Sequence, residues 1–291
     1  MKIGAKMAIS ETVNLSKDSV DFGTGYDADS RMCLVGDQLR RNNTCKSLTL
    51  NDQRIREQGA TGLFAGLKEN RTLKELYLSR CCMHSSAEAG KTWGDGSPMQ
   101  YSTSGMPQLV DALMANRTLT TLNIDGNVMS AECATHLAEM LKVNTTLETL
   151  SITLSFLDAD SDGCLRALAE ALTDNLTLKR LDVSQNRTEF VGLHAEGLAH
   201  LAEALKVNQS LTKLDLAASL IDDEGALLFV EALKVNRTLE DLNLSNNSIK
   251  NRETIKALKD AAALDRPKAV DVSLFGAFAL SSSKAPGPSL R

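Results

Sequence analysis

Apolar and polar positions along this chain form a phrase that keeps returning. Its clearest copy begins at Asn236 and reads Asn-Arg-Thr-Leu-Glu-Asp-Leu-Asn-Leu-Ser-Asn-Asn-Ser-Ile. Counted from that Asn, apolar residues fall at +3, +6, +8 and +13, with a second Asn at +11. The phrase also begins at Asn42, Asn70, Asn116, Asn144, Asn175 and Asn208, with a basic step of 28 residues. Its +6/+8 pairs are Leu48/Leu50, Leu76/Leu78, Leu122/Ile124, Leu150/Ile152, Leu181/Val183, Leu214/Leu216 and Leu242/Leu244. Alternation of period two predicts a short strand with +6 and +8 on one side and +7 on the other. Later in each unit the spacing turns helical, at +21 and +25: Leu63/Leu67, Leu109/Leu113, Leu137/Leu141, Leu168/Leu172, Leu201/Leu205 and Phe229/Leu233. Good helix formers lie between them. Each helix is expected to end at the next Asn, a residue that tolerates the left-handed conformation past a helix end. The Thr or Ser two residues on is expected to open the next strand.

A unit of this kind cannot bury its apolar layer alone, so the copies must stack into one continuous array. Nine parallel strands are predicted, centred near residues 21, 49, 77, 123, 151, 182, 215, 243 and 271. Residues 1–13 read as an extension and 14–41 as a degenerate capping repeat with Val20 and Phe22 at +6 and +8. Residues 42–264 hold seven full units, and 265–280 a last strand (Val270 to Val272) and an apolar closing run. Residues 281–291, with Pro286, Gly287 and Pro288, read as a disordered tail.

Three steps are longer than the rest. They span 46 residues from Asn70, 31 from Asn144 and 33 from Asn175, adding 18, 3 and 5 residues. The phrase is intact before and after each addition, which places the extra residues in strand-to-helix loops: 81–106, 155–164 and 186–196.

The phrase resembles a leucine-rich repeat. Its length and helical second half are similar to the ribonuclease-inhibitor-like subfamily, which also supplies the repeat regions of NOD-like receptors. The resemblance covers residues 14–272. It implies an α/β fold, a right-handed solenoid bent into a horseshoe, with a parallel β-sheet on the concave side and helices on the convex side. It implies too that the function is to bind another protein, with rim insertions among the usual contact points.

Composition agrees. The formal charge is −5 with both signs mixed, so nothing marks a nucleic-acid or membrane footprint. The apolar patch from Met7 to Ile9 is too short for a secretory leader, and no run approaches a membrane span. Six cysteines without CxxC spacing, Cys45 at a core +3 position among them, point to a reducing intracellular compartment.

Four local motifs give way to simpler readings. Asp158, Asp160, Asp162 and Gly163 form the first half of a calcium loop, but Ala169 stands where a bidentate acid belongs. Gly90-Lys-Thr92 lacks both the first glycine of a phosphate-binding loop and a following helix. Asn-x-Ser/Thr at the repeat starts is what the repeat itself needs. His84, His136, His194 and His200 have no triad or metal-ligand partners at suitable spacing. No catalytic residue, metal, cofactor or small-molecule substrate is expected.

Candidate binding residues come from the concave face and the loops. The +7 column reads Asp21, Thr49, Tyr77, Asn123, Ser151, Asp182, Asp215, Asn243 and Asp271. Its acids are flanked by Lys179, Arg180 and Lys213, which leaves solvated cross-strand ion pairs as the competing reading. Of eleven aromatics, Tyr77 lies on this column and Trp93, Tyr101, Phe156 and Phe190 lie in the insertions. They serve either as interface anchors or as packing beneath their own loops. With Arg80 at the concave edge, the candidate surface comprises Tyr77, Arg80, Trp93, Tyr101, Asn123, Phe156, Asp182, Phe190 and Asp215. The chain thus reads as a non-catalytic adaptor or scaffold for a protein partner. One alternative is a GTPase-activating protein of the Ran type, similar in fold, although residues 281–291 contain no acid where those proteins carry an acidic tail. The other is a fixed subunit of a cytoskeletal or axonemal assembly.

Overall fold

The computed structural model describes residues 10–16, 27–81, 105–127, 129–155, 161–187, 192–264 and 269–274. Among the described residues nine strands form one parallel sheet in sequence order: β1 (Thr12–Asn14), β2 (Ser47–Thr49), β3 (Glu75–Tyr77), β4 (Thr121–Asn123), β5 (Thr149–Ser151), β6 (Arg180–Asp182), β7 (Lys213–Asp215), β8 (Asp241–Asn243) and β9 (Asp271–Ser273). Helices alternate with them: α1 (Ala28–Arg41), α2 (Glu57–Glu69), α3 (Gly105–Ala115), α4 (Ala131–Val143), α5 (Ser161–Asp174), α6 (Ala195–Val207), α7 (Asp223–Val235) and α8 (Arg252–Ala262). Strands stack about 4.8 Å apart, whereas packed helices need about 8–10 Å. The α/β solenoid therefore bends, with the sheet on its inner side.

The core is the predicted one. Leu48, Leu76, Leu122, Leu150, Leu181, Leu214 and Leu242 lie in direct register across the sheet. All are buried, as are the six helical +21/+25 pairs.

Both ends depart from the expected register. The strand beside β2 is Thr12–Asn14, with Val13 opposite Leu48, rather than a strand centred near residue 21. That step is 35 residues, seven above the basic one, and residues 17–26, including Val20, Asp21 and Phe22, lie outside the described residues. Leu15 fills the +8 place and is fully buried. At the far end Val272 lies opposite Leu242, so Ser273 holds the +7 place and Asp271 moves to +5. Buried Leu274 takes +8 there. In both cases apolar burial sets the register where the repeat phrase has faded.

The repeated asparagines do a different job from the one expected. Asn42, Asn70, Asn144, Asn208 and Asn236 have φ between −81° and −61° and extended ψ, so none is left-handed. They act through their amide groups. Asn236 Nδ2 donates to the Leu205 carbonyl at 2.7 Å and to the Asn208 carbonyl at 3.2 Å, on either side of the preceding repeat boundary. Its Oδ1 accepts from the Thr238 and Leu239 amides at 3.0 and 2.7 Å. The Thr or Ser two residues on braces this turn, and the strand opens three residues later.

A second ladder runs at +11. Asn127 Nδ2 donates to the Leu78 and Ile124 carbonyls, each at 2.8 Å, and Oδ1 accepts from the Cys81 amide at 2.9 Å. Asn186 makes the same bonds toward Ser155, and Asn247 toward Ser219. Every buried backbone group at this corner needs a partner, and one Asn serves two units. Small Cys81, Ser155 and Ser219 therefore alternate with the asparagines. The left-handed residue is the one just before, at +10: Asp52, Arg80, Leu154, Gln185, Ala218 and Asn246 have φ of 53–62°, and Gly126 66°.

Acids tie successive helices. The Oδ1 atoms of Asp29, Asp162 and Asp223 accept from the amides of Gly59, Gly197 and Asn251, each near the start of the next helix, where a negative charge is favoured. Ser161–Asp174 is helical, and Asp158 and Asp160 of the calcium-like pattern lie outside the described residues.

Candidate protein-interaction surface

The strand residues at +5 and +7 face away from the core and are half-exposed or, like Arg180, exposed, forming the concave face. Sequence reasoning brought Tyr77, Asn123, Asp182 and Asp215 together, and the register places all four in the single +7 row of β3, β4, β6 and β7. Tyr77 Oη donates to Glu75 Oε2 at 3.3 Å, and burial, reinforced by Glu75, raises the phenol pKa. Ser79 Oγ donates to Asn123 Oδ1 at 2.6 Å, and Ser151 Oγ to Asp125 Oδ1 at 2.7 Å.

On β6 and β7 the charges fall like beside like. Arg180 is the register partner of Lys213, and Asp182 of Asp215. Lys213 turns away to Asp241, 3.1 Å distant. The flanking bases thus leave both aspartates of the +7 row without an ion pair among the described residues. Asp182 Oδ1 accepts from the Ser184 amide at 2.9 Å, while Asp215 accepts from the Ala217 amide and from Asn243 Nδ2. Burial still pushes the Asp182 carboxyl above the ordinary range, and Asp215 and Asp125 add to it. Like charges directly opposite each other destabilise a sheet.

Arg80 is less available than its position suggested. Its guanidinium grips Asp52 with Nε–Oδ1 at 2.6 Å and Nη2–Oδ2 at 2.9 Å, one unit back at the same left-handed turn. Its side chain nonetheless remains exposed. Trp93, Tyr101, Phe156 and Phe190 lie outside the described residues. Sequence reasoning missed a second feature, at the opposite edge: exposed Val143, Leu176, Val207 and Val235, all within one residue of a repeat Asn. Their recurrence beside that Asn was the available signal.

A family model described as Leucine Rich repeat matches residues 115–138, 207–230 and 235–252. The Homo sapiens centrosomal protein of 78 kDa is 26% identical over 212 residues, covering 65% of this chain and 27% of that protein. The Mus musculus NACHT, LRR and PYD domains-containing protein 12 is 28% identical over 213 residues, covering 64% of this chain and 18% of that protein. The chain therefore spans about a quarter or less of these curated relatives. A Bacteroides fragilis protein of known crystal structure superposes with a TM-score of 0.53 at 14% identity, covering 94% of this chain and 69% of the other. At that identity the likeness concerns the fold. Among the described residues no helix is long and apolar enough to cross a membrane.

Proposed function

The chain is a leucine-rich-repeat protein of the ribonuclease-inhibitor-like type, and we propose that it is a non-catalytic adaptor holding a protein partner against its concave face and strand-to-helix rim. One observation carries this reading: the direct register of Arg180 with Lys213 and of Asp182 with Asp215. Two stripes of opposite charge, each repelling itself, suit a partner that lays basic groups on the aspartates and acidic groups on Arg180 and Lys213. Tyr77, Asn123 and Arg80 extend the surface toward the long insertion, whose Trp93 and Tyr101, with Phe156 and Phe190 in the shorter loops, supply aromatic anchors.

Affinity capture with mass spectrometry, run on wild type and on Asp182→Lys/Asp215→Lys, tests the proposal. A partner held by wild type and lost from the double variant, with the variant still folded by circular dichroism, is the expected result. Partners retained equally by both place binding elsewhere. The likeness to a centrosomal protein favours a second reading, a fixed subunit of a cytoskeletal assembly. Many co-fractionating subunits in constant proportion would select it over a single dedicated partner.

A further inference from the structure

A cavity of about 310 Å³ opens at the other edge of the sheet, where helices turn into strands. Its walls come from the short segments that follow Asn70, Asn116, Asn144 and Asn175. Backbone hydrogen bonds fix the spacing of these segments. The Thr120 amide donates to the Lys74 carbonyl, Glu148 to Thr120, and Lys179 to Glu148, at 2.7–2.8 Å. Lys74 and Lys179 therefore stand three rungs apart, about 14 Å.

In three units an Arg directly after the repeat Asn packs along this edge. Arg71, Arg117 and Arg237 fold back so that Nη1 donates to the preceding helix's last carbonyls at 2.8–2.9 Å. In the units at Asn144 and Asn175 that place is taken by Thr145 and Leu176, which have no guanidinium to fold back, and the cavity lies there. Leu176 is left 69% exposed. Around it stand Lys74, Arg117 and Lys179 against a single acid, Glu148. This is a local excess of positive charge on a chain whose formal charge is −5. Among the described residues neither lysine has an ion-pair partner.

We propose that this rim cavity docks an acidic peptide segment of a partner protein, with carboxylates on Lys74, Arg117 and Lys179 and an aliphatic side chain on Leu176. An extended peptide covers about 14 Å in about four residues, which matches the distance between the two lysines. A bare anion would leave Leu176 uncovered. Nucleic acid would meet Glu148 with no aromatic platform among the lining residues for its bases. The inference does not rest on the concave-face reading, because Asp182 and Asp215 play no part in it.

The test is fluorescence anisotropy on the full chain, with a labelled, end-capped Glu-Asp-Leu-Glu-Asp peptide as probe and its Gln-Asn-Leu-Gln-Asn counterpart as control. The acidic probe is expected to bind at least about tenfold more tightly than the control, and Lys74→Glu or Lys179→Glu to weaken it by about tenfold. Leu176→Ser should weaken it by about threefold, one partly buried apolar contact. Melting temperatures should not move, since all three side chains are exposed. Equal binding of the two peptides overturns the proposal, as do unaltered binding by both lysine variants and no binding at millimolar peptide. Inorganic phosphate displacing the probe while Leu176→Ser changes nothing would also overturn it, because the site would then hold a simple anion.

Discussion

Asp182 and Asp215 stand side by side at the same register position of neighbouring parallel strands, acid beside acid. Burial, then the charges of Asp215 and Asp125, raise the folded pKa of Asp182 above the ordinary 3.8. The folded state therefore holds that proton more tightly than the unfolded state does. The resulting penalty is absent below the unfolded value, grows as pH rises toward the folded value, and is complete above it. Asp182→Asn keeps an oxygen for the Ser184 amide while removing the charge. It is expected to melt higher than wild type at neutral pH and to lose that advantage below about pH 4. Melting curves across this range check it, and a variant less stable at neutral pH would refute it.

Gly36→Ala is expected to destabilise although it lies in a helix. Alanine gains about 1 kcal/mol over glycine in a helix interior. A Cβ on Gly36, however, would lie 2.1 Å from the Gly62 carbonyl oxygen, and one on Gly66 2.1 Å from that of Gly36. Separating α1 from α2 costs about 1–3 kcal/mol at a well-packed contact, and more where backbone meets backbone. Chemical denaturation should show a lower midpoint for Gly36→Ala and a lower one still for Gly36→Ala/Gly66→Ala.

Asn127→Ala strips partners from two carbonyls and one amide at a fully buried corner. At about 1–3 kcal/mol for each group left unpaired, the loss should reach about 3 kcal/mol or more. Asn127→Asp, which keeps the acceptor and loses the donors, should recover part of it. Equilibrium unfolding of the three proteins measures both effects.

Cys45 should be inert in the folded protein. Burial pushes its thiol up to about 11, so thiolate is scarce at physiological pH. Iodoacetamide followed by mass spectrometry should label Cys45 only after denaturant is added. Labelling of the native chain would mean that the edge between α1 and β2 opens.

The interior of the fold was legible because each unit restates the same burial pattern. Leu76, Leu122 and Leu150 could be aligned by counting alone. The ends were not legible in that way. Val13 and Leu15 form a two-residue alternation like many others, and only the pairing of Val13 with Leu48 marks it as the first strand. The asparagines were visible but misjudged: their amide groups, rather than their tolerance of left-handed backbone, explain the repeat. The turn that is left-handed accepts Asp52, Leu154 and Ala218 alike, so residue type carries no mark of it. For the candidate surface, sequence supplied the +7 row, but the like-with-like pairing across β6 and β7 depends on register.

The asparagine rungs give the array a direction of time as well as of space. The side-chain donor of Asn236 reaches back to Leu205 and Asn208, and that of Asn208 to Leu172 and Asn175. None of these donors reaches forward. A chain emerging from the ribosome N-terminus first therefore completes, with each new unit, the one already made. A stalled product would lack one rung at its newest end and keep every earlier one, so that elongation itself orders the assembly.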